Sequence, residues 1–179
     1  MEWVFSADTL LASCRFLAEH SIQLREEDPS ERFPAFDEFR IVDVIVMLRA
    51  MALECLLKAL WLKSGNKLAK DGKYYPIPNA KDHDLLSLYN TIADNHQIVL
   101  TEEEKDFINR LSGNITAGRY PIQRNLGKNR KPLATAQLNR LPPPLMIQNH
   151  DNDHFHAIVE KLKAPLKGEI DTFYQPDPD

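Results

Sequence analysis

Between residues 36 and 64 the chain carries Ile41, Val44, Ile45, Leu48, Ala52, Cys55, Leu56 and Ala59 at helical intervals, with no proline among them. A stripe this wide has to be covered on several sides, which makes the segment the expected centre of a helical fold. Gly65 is placed to end it. Asp43, Arg49, Glu54 and Lys58 interrupt its most apolar part. A membrane span needs about 20 apolar residues with few or no charges, so the pattern predicts a core helix instead.

The flanking sequence fits the same reading. Ser6 is expected to cap a first helix over residues 6–27, with Leu10, Leu11, Cys14, Leu17, Ala18 and Ile22 on one face and Pro29 as its stop. Residues 65–81 have no helical period and read as a surface loop, followed by a third helix over 82–95. Thr101 and Glu104 form a capping box opening a fourth helix whose inner face is Phe107, Ile108 and Leu111. A last helix is expected from Asp151 or Asp153 to near Pro165, and at most one short helix near 134–141. The fold class expected is all-α: an up-and-down bundle of four to five helices with a long basic loop before the last one. At 179 residues one domain suffices, with its core over 6–112, a basic segment over 113–150, a C-terminal helix over 151–164 and a frayed tail over 165–179.

Six glycines against twelve prolines argue against many tight hairpin turns. No alternating strand pattern and no internal repeat is visible. Cys14 and Cys55 lie among apolar residues at helical spacing and read as small core side chains in a reducing compartment. The N-terminal stretch has no basic region ahead of an apolar one, so a cytoplasmic location without membrane attachment is expected.

Charge is distributed unevenly. Residues 107–150 hold no Asp or Glu in 44 positions but seven cations: Arg110, Arg119, Arg124, Lys128, Arg130, Lys131 and Arg140. The other 135 residues carry 15 Lys and Arg against 26 Asp and Glu, about −11. An acidic protein with one segregated basic segment is arranged to meet an anionic partner: a nucleic acid, a nucleotide phosphate or an acidic surface. Within it, Arg119, Tyr120 and Arg124 surround a stiffening proline. Two guanidiniums and an aromatic ring suit phosphate forking and base stacking on single-stranded RNA.

Three motifs occur in order: AMALECLLKALWL with its E-x-x-x-K pair, HDLLSLYNTIA, and GRYPIQRN after the fourth helix. Together they resemble the HEPN superfamily of small all-α nucleotide-binding domains, over about residues 6–126. The resemblance implies a helical bundle that commonly dimerises. Its members include metal-independent endoribonucleases of toxin–antitoxin and phage-defence systems. Others are non-catalytic and bind RNA, nucleotides or a paired nucleotidyltransferase. The nuclease members carry Arg, four to six residues, then His. Arg119 matches the Arg, but the following positions are Arg124, Asn125 and Leu126, so the acid/base partner is missing.

Cleavage by 2′-hydroxyl attack needs a proton acceptor, a proton donor and a stabiliser of phosphorane charge. Arg119 supplies only the last, because its guanidinium does not titrate in the useful range. The literal Arg15-to-His20 spacing leaves the two side chains about 140° apart on a helix, so they do not converge. His83 and Asp84 read as the first turn of a helix rather than a metal dyad. His150, His154 and His156 with Asp151 and Asp153 read as a solvated helix start. His150 and His154 are also the candidates for a displaced base serving Arg119. Glu54 and Lys58 either pair at the bundle edge or, if buried, must meet other charges, with Glu54 against Arg119 as the arrangement that would favour the family reading.

The expected function is binding of RNA or a nucleotide-bearing partner through Arg119, Tyr120, Arg124, Lys128, Arg130 and Lys131, as a homodimer and with no cofactor or metal. The alternatives are a metal-independent endoribonuclease and a protein-interaction module docking an acidic partner such as a nucleotidyltransferase.

Overall fold

The central helix α2, Ala35–Lys63, touches each of the other helices in the computed structural model, which describes residues 2–27, 35–119 and 150–168. From Ala52 to residue 60 every residue of α2 except Cys55 is buried, so the wide stripe becomes complete enclosure in this half. Leu53, Leu56 and Leu60 have no exposed surface. The N-terminal half of α2 is covered less: Ile41, Ile45 and Leu48 are half-buried and Val44 is exposed.

Helix α1, Glu2–Glu27, runs antiparallel to α2, with Trp3 beside Lys58 and Cys14 beside Ile45. It starts four residues before the expected cap at Ser6, because Val4 and Ala7 are core residues and draw the first turn into the bundle. Cys14 is buried and Cys55 partly so, and neither is in a disulfide.

The connection after α2 is not all loop. Gly65, at φ +80°, ends the helix as expected. Two short strands, β1 Ala69–Lys70 and β2 Lys73–Tyr74, then pair antiparallel across Asp71 and Gly72. Both turn residues take positive φ, 52° and 73°, which is what the Asp-Gly pair provides in a two-residue hairpin. Leu68 and Ile77 anchor either end of this connection in the core.

Helix α3 spans Leu85–His96, and α4 spans Glu102–Arg119. The start of α3 is three residues later than expected. Asp84 is its cap, accepting from the Ser87 amide at 3.0 Å, and His83 stands outside the helix. The capping box of α4 is present: Thr101 N donates to Glu104 Oε2 at 2.7 Å and Glu104 N to Thr101 Oγ1 at 3.2 Å. The helix runs eight residues past Leu111 and through Gly113. Glycine in a helix interior costs about 1 kcal/mol, and burial of Ile115 on the same face as Ile108 and Leu111 offsets it. The stretch expected as loop from residue 113 is therefore helical to Arg119, and the short helix expected near 134–141 lies outside the described residues.

Helix α5, Asp151–Lys163, lies antiparallel on α4 and continues into a 3-10 turn, Ala164–Leu166, that passes through Pro165. Lys163 reaches back to Asp8 of α1 at 2.5 Å, which ties α5 to the opposite end of the chain. The architecture is an all-α bundle with one small hairpin. Among the described residues, no helix is long and apolar enough to cross a membrane.

Candidate functional site

Glu54 and Lys58 face inward one turn apart on the enclosed half of α2. The Lys58 ammonium donates to Glu54 Oε1 at 2.7 Å, and both residues are buried. The second carboxylate oxygen, Oε2, lies 2.9 Å from His83 Nδ1. His83 reaches it because its backbone is left-handed, φ 68°, an uncommon conformation for a residue with a side chain. That turn places the imidazole against α2 while Asp84 remains free to cap α3.

Lys58 also sits over the rings of Trp3 at 4.9 Å and Tyr74 at 5.6 Å, and Tyr74 Oη donates to Asp82 at 2.9 Å. Burial acts to raise the Glu54 pKa, but hydrogen bonds from His83 and Lys58 outweigh it and hold the carboxyl below its ordinary value. Burial acts to lower the Lys58 pKa, and the Glu54 carboxylate more than reverses it. An ionised carboxylate only accepts, so Nδ1 of His83 is the donor in this contact. Two of the three sequence motifs, E-x-x-x-K and H-D-L, thus meet at one carboxylate.

The third motif begins at the end of α4. Leu85 N, the first amide of α3, donates to Ser112 Oγ at 2.9 Å, so α4 passes the start of α3 at this residue. Arg119 follows Ser112 by two turns, about 10 Å along the axis and within about 20° of the same face. Its backbone is at the His83 end of the bundle. The Arg119 side chain, and Tyr120, Arg124, Lys128, Arg130 and Lys131, lie outside the described residues. Among the described residues the partners of Glu54 are Lys58 and His83, the residue before the α3 cap, and the expected arrangement of Glu54 against Arg119 lies outside the described residues.

Arg110 is a correction to the basic segment. Its guanidinium forks onto Asp151 at 2.6 and 3.0 Å and donates through Nε to Asp106 at 3.0 Å. These carboxylates raise its pKa and neutralise it, so six cations of the segment, from Arg119 to Arg140, carry its positive character.

The histidine cluster is divided. Asp151 is not a solvated cap; it is buried on Arg110. His150 is exposed and 4.0 Å from Asp153, His154 tilts against Phe107 with ring centres 6.5 Å apart, and His156 meets the edge of Phe155. His154 is therefore level with Phe107, twelve residues and about 18 Å of α4 axis from Arg119. In the first helix His20 stacks on Phe16 instead of approaching Arg15. Among the described residues, no group of three or more His, Cys, Asp or Glu is arranged to hold a metal ion.

Sequence reasoning missed Arg49, which lies over the Phe155 ring at 4.8 Å and donates to Asn152 at 2.8 Å. Its position as a charge inside the α2 stripe was the available signal. A shallow groove of about 670 Å³ between α3 and α4 is lined by Asn79, Ser87, Asn90, Thr91 and Asn109 among others. No family model, curated protein or solved structure matches the chain.

Proposed function

We propose that this chain is a HEPN-like helical module that binds RNA or a nucleotide-bearing partner through the basic segment following α4. The observation that carries the reading is charge segregation: six cations from Arg119 to Arg140 with no intervening acid, on an otherwise acidic protein. Arg119 and Arg124 fork onto phosphates, Tyr120 stacks on a base, and Lys128, Arg130 and Lys131 follow the strand. The meeting of Glu54, Lys58 and His83 supports the family side of the reading, because it gives two separate motifs one structural purpose. Arg119 has no titrating partner at the family's expected spacing, so the activity is binding.

The test uses labelled single-stranded RNA in EDTA, resolved on native and denaturing gels at several salt concentrations. Five phosphate contacts on a single strand give a log–log salt slope of about −3.5, or about 11-fold weaker binding per doubling of salt. The expected result is intact RNA, a shift with that salt dependence, and weaker binding by Arg119→Ala and Arg124→Ala. Absence of any shift overturns the reading and leaves a docking module for an acidic protein.

One observation favours a second reading, a metal-independent endoribonuclease. His83 is an imidazole oriented by a buried carboxylate, at the same end of the bundle as the Arg119 backbone. Cleavage in EDTA that is abolished by His83→Ala and by Arg119→Ala would establish it.

A further inference from the structure

The connection between α2 and α3 carries a second concentration of positive charge. From residue 63 to 81 there are five lysines and one acid, Asp71, inside the part of the chain whose balance is negative. The 116 residues outside this stretch and the basic segment then carry about −15. Lys67, Lys70, Lys73 and Lys81 are exposed, and among the described residues none of the four forms an ion pair. Lys58, Lys105, Lys161 and Lys163, by contrast, each hold a carboxylate. Asp71 is committed to the turn at φ 52°, and the next acid, Asp82, accepts from the Tyr74 hydroxyl.

The strand register puts two of these lysines face to face. Lys70 pairs with Lys73 across the turn, so both ammonium groups rise from the same side of the hairpin. Like charges directly opposite one another destabilise a ladder, so the pairing works against the hairpin and in favour of an anion outside it. Tyr75 lies on the same side two residues beyond Lys73, with 47 % of its surface exposed. Its amide donates to Leu68 O at 2.9 Å, which fixes the base of the hairpin where Leu68 enters the core. Tyr74, on the other side, is instead taken up by Lys58 and Asp82. Unpaired ammonium groups beside an exposed aromatic ring fit a single nucleic-acid strand, whose phosphates and bases present charge and flat surface together. An acidic protein surface would engage the lysines alone.

We infer that the β1–β2 hairpin is a second RNA-contacting surface, with Lys70 and Lys73 on phosphates and Tyr75 stacked on a base. This rests on the reading that the chain binds RNA, and adds a contact separate in sequence from the basic segment. Two further phosphate contacts steepen the log–log salt slope by about 1.4 beyond that of the basic segment.

The test is RNA affinity of the full chain across a salt series. Lys70→Ala with Lys73→Ala is expected to remove the added slope and to weaken binding at 0.1 M salt at least about tenfold. Tyr75→Ala is expected to weaken binding about fivefold or more, and Tyr75→Phe, which keeps the ring, to retain it. Lys105→Ala, at a lysine already paired with Glu102, is expected to change affinity less than about twofold. Removing the opposed lysines is expected to leave the melting temperature unchanged or raised, which separates a binding loss from a folding loss. Ultraviolet crosslinking followed by peptide mass spectrometry is expected to place RNA on Tyr75. Unchanged affinity and slope in the double lysine variant, with binding still weakened by Arg119→Ala, overturns the hairpin contact and leaves the basic segment standing. The converse result overturns the basic segment and leaves the hairpin, and absence of any RNA shift overturns both.

Discussion

His83 Nδ1 lies 2.9 Å from Glu54 Oε2, joining the residue before the α3 cap to a carboxylate 29 positions earlier, on the enclosed part of α2. With Lys58 on the other oxygen, Glu54 is satisfied from two directions inside the core. Removing it leaves a buried ammonium without its carboxylate, a loss that costs about 3–5 kcal/mol. Glu54→Ala is expected to lower the urea midpoint accordingly. Glu54→Ala combined with Lys58→Met is expected to cost less than the sum of the single changes, which a double-mutant cycle reads directly.

The same pair predicts the shape of the pH–stability curve. The folded pKa of Glu54 lies below its ordinary 4.5, so its contribution is complete above that value and is lost as pH falls through the folded pKa. The folded pKa of Lys58 lies above its ordinary 10.5, so its contribution is complete below that value and is lost as pH rises through the folded pKa. Urea denaturation from pH 7 down to pH 3 is expected to show a smaller loss of stability in Glu54→Gln than in the unaltered protein. An unchanged acid limb would show that Glu54 is not held ionised.

Arg110 separates folding from binding within the basic segment. Its forked contact with buried Asp151 predicts a cost of about 3 kcal/mol for Arg110→Ala, because a buried carboxylate at the start of α5 loses its two-pronged ion pair. The same substitution is expected to leave RNA affinity within about twofold, since its charge is already neutralised, whereas Arg119→Ala weakens binding. Thermal melts and gel shifts on both variants distinguish the two roles.

At the start of α4, Thr101→Ala removes one cap hydrogen bond and is expected to cost about 1 kcal/mol. Glu104→Ala is expected to cost about 3 kcal/mol. Its buried carboxylate serves both the Thr101 amide and Lys161, which reaches it at 2.6 and 2.8 Å. Chemical denaturation of the two variants gives the comparison, and equal costs would mean that the Lys161 contact contributes nothing.

The parts of this structure that follow from local spacing were legible in the sequence. The α2 stripe, the Thr101–Glu104 box and the Gly65 stop each depend on residues within a turn or two of one another. The short hairpin was equally local, since Asp71-Gly72 is a strong turn signal, but its two-residue strands are too brief to show alternation. What escaped was set by distant partners. Asp151 resembles a cap until Arg110 approaches from another helix. His83 resembles a first-turn residue until Glu54 fixes its ring. Helix α4 continues past Gly113 because Ile115 finds a place in the core, and no property of residues 112–119 alone announces that.

The pairing of α5 with α4 also bears on synthesis. The contacts of α4 with α5, among them Arg110 on Asp151 and Glu104 on Lys161, form only after residues 151–163 have been made. The 30 intervening residues occupy about 2–6 s of translation at ordinary rates. During that interval the nascent bundle presents the surface that α5 will cover, with Arg110 and Glu104 lacking their α5 partners. Chaperone contact is expected to concentrate in that window, and codon choice between residues 120 and 149 becomes a means of lengthening or shortening it.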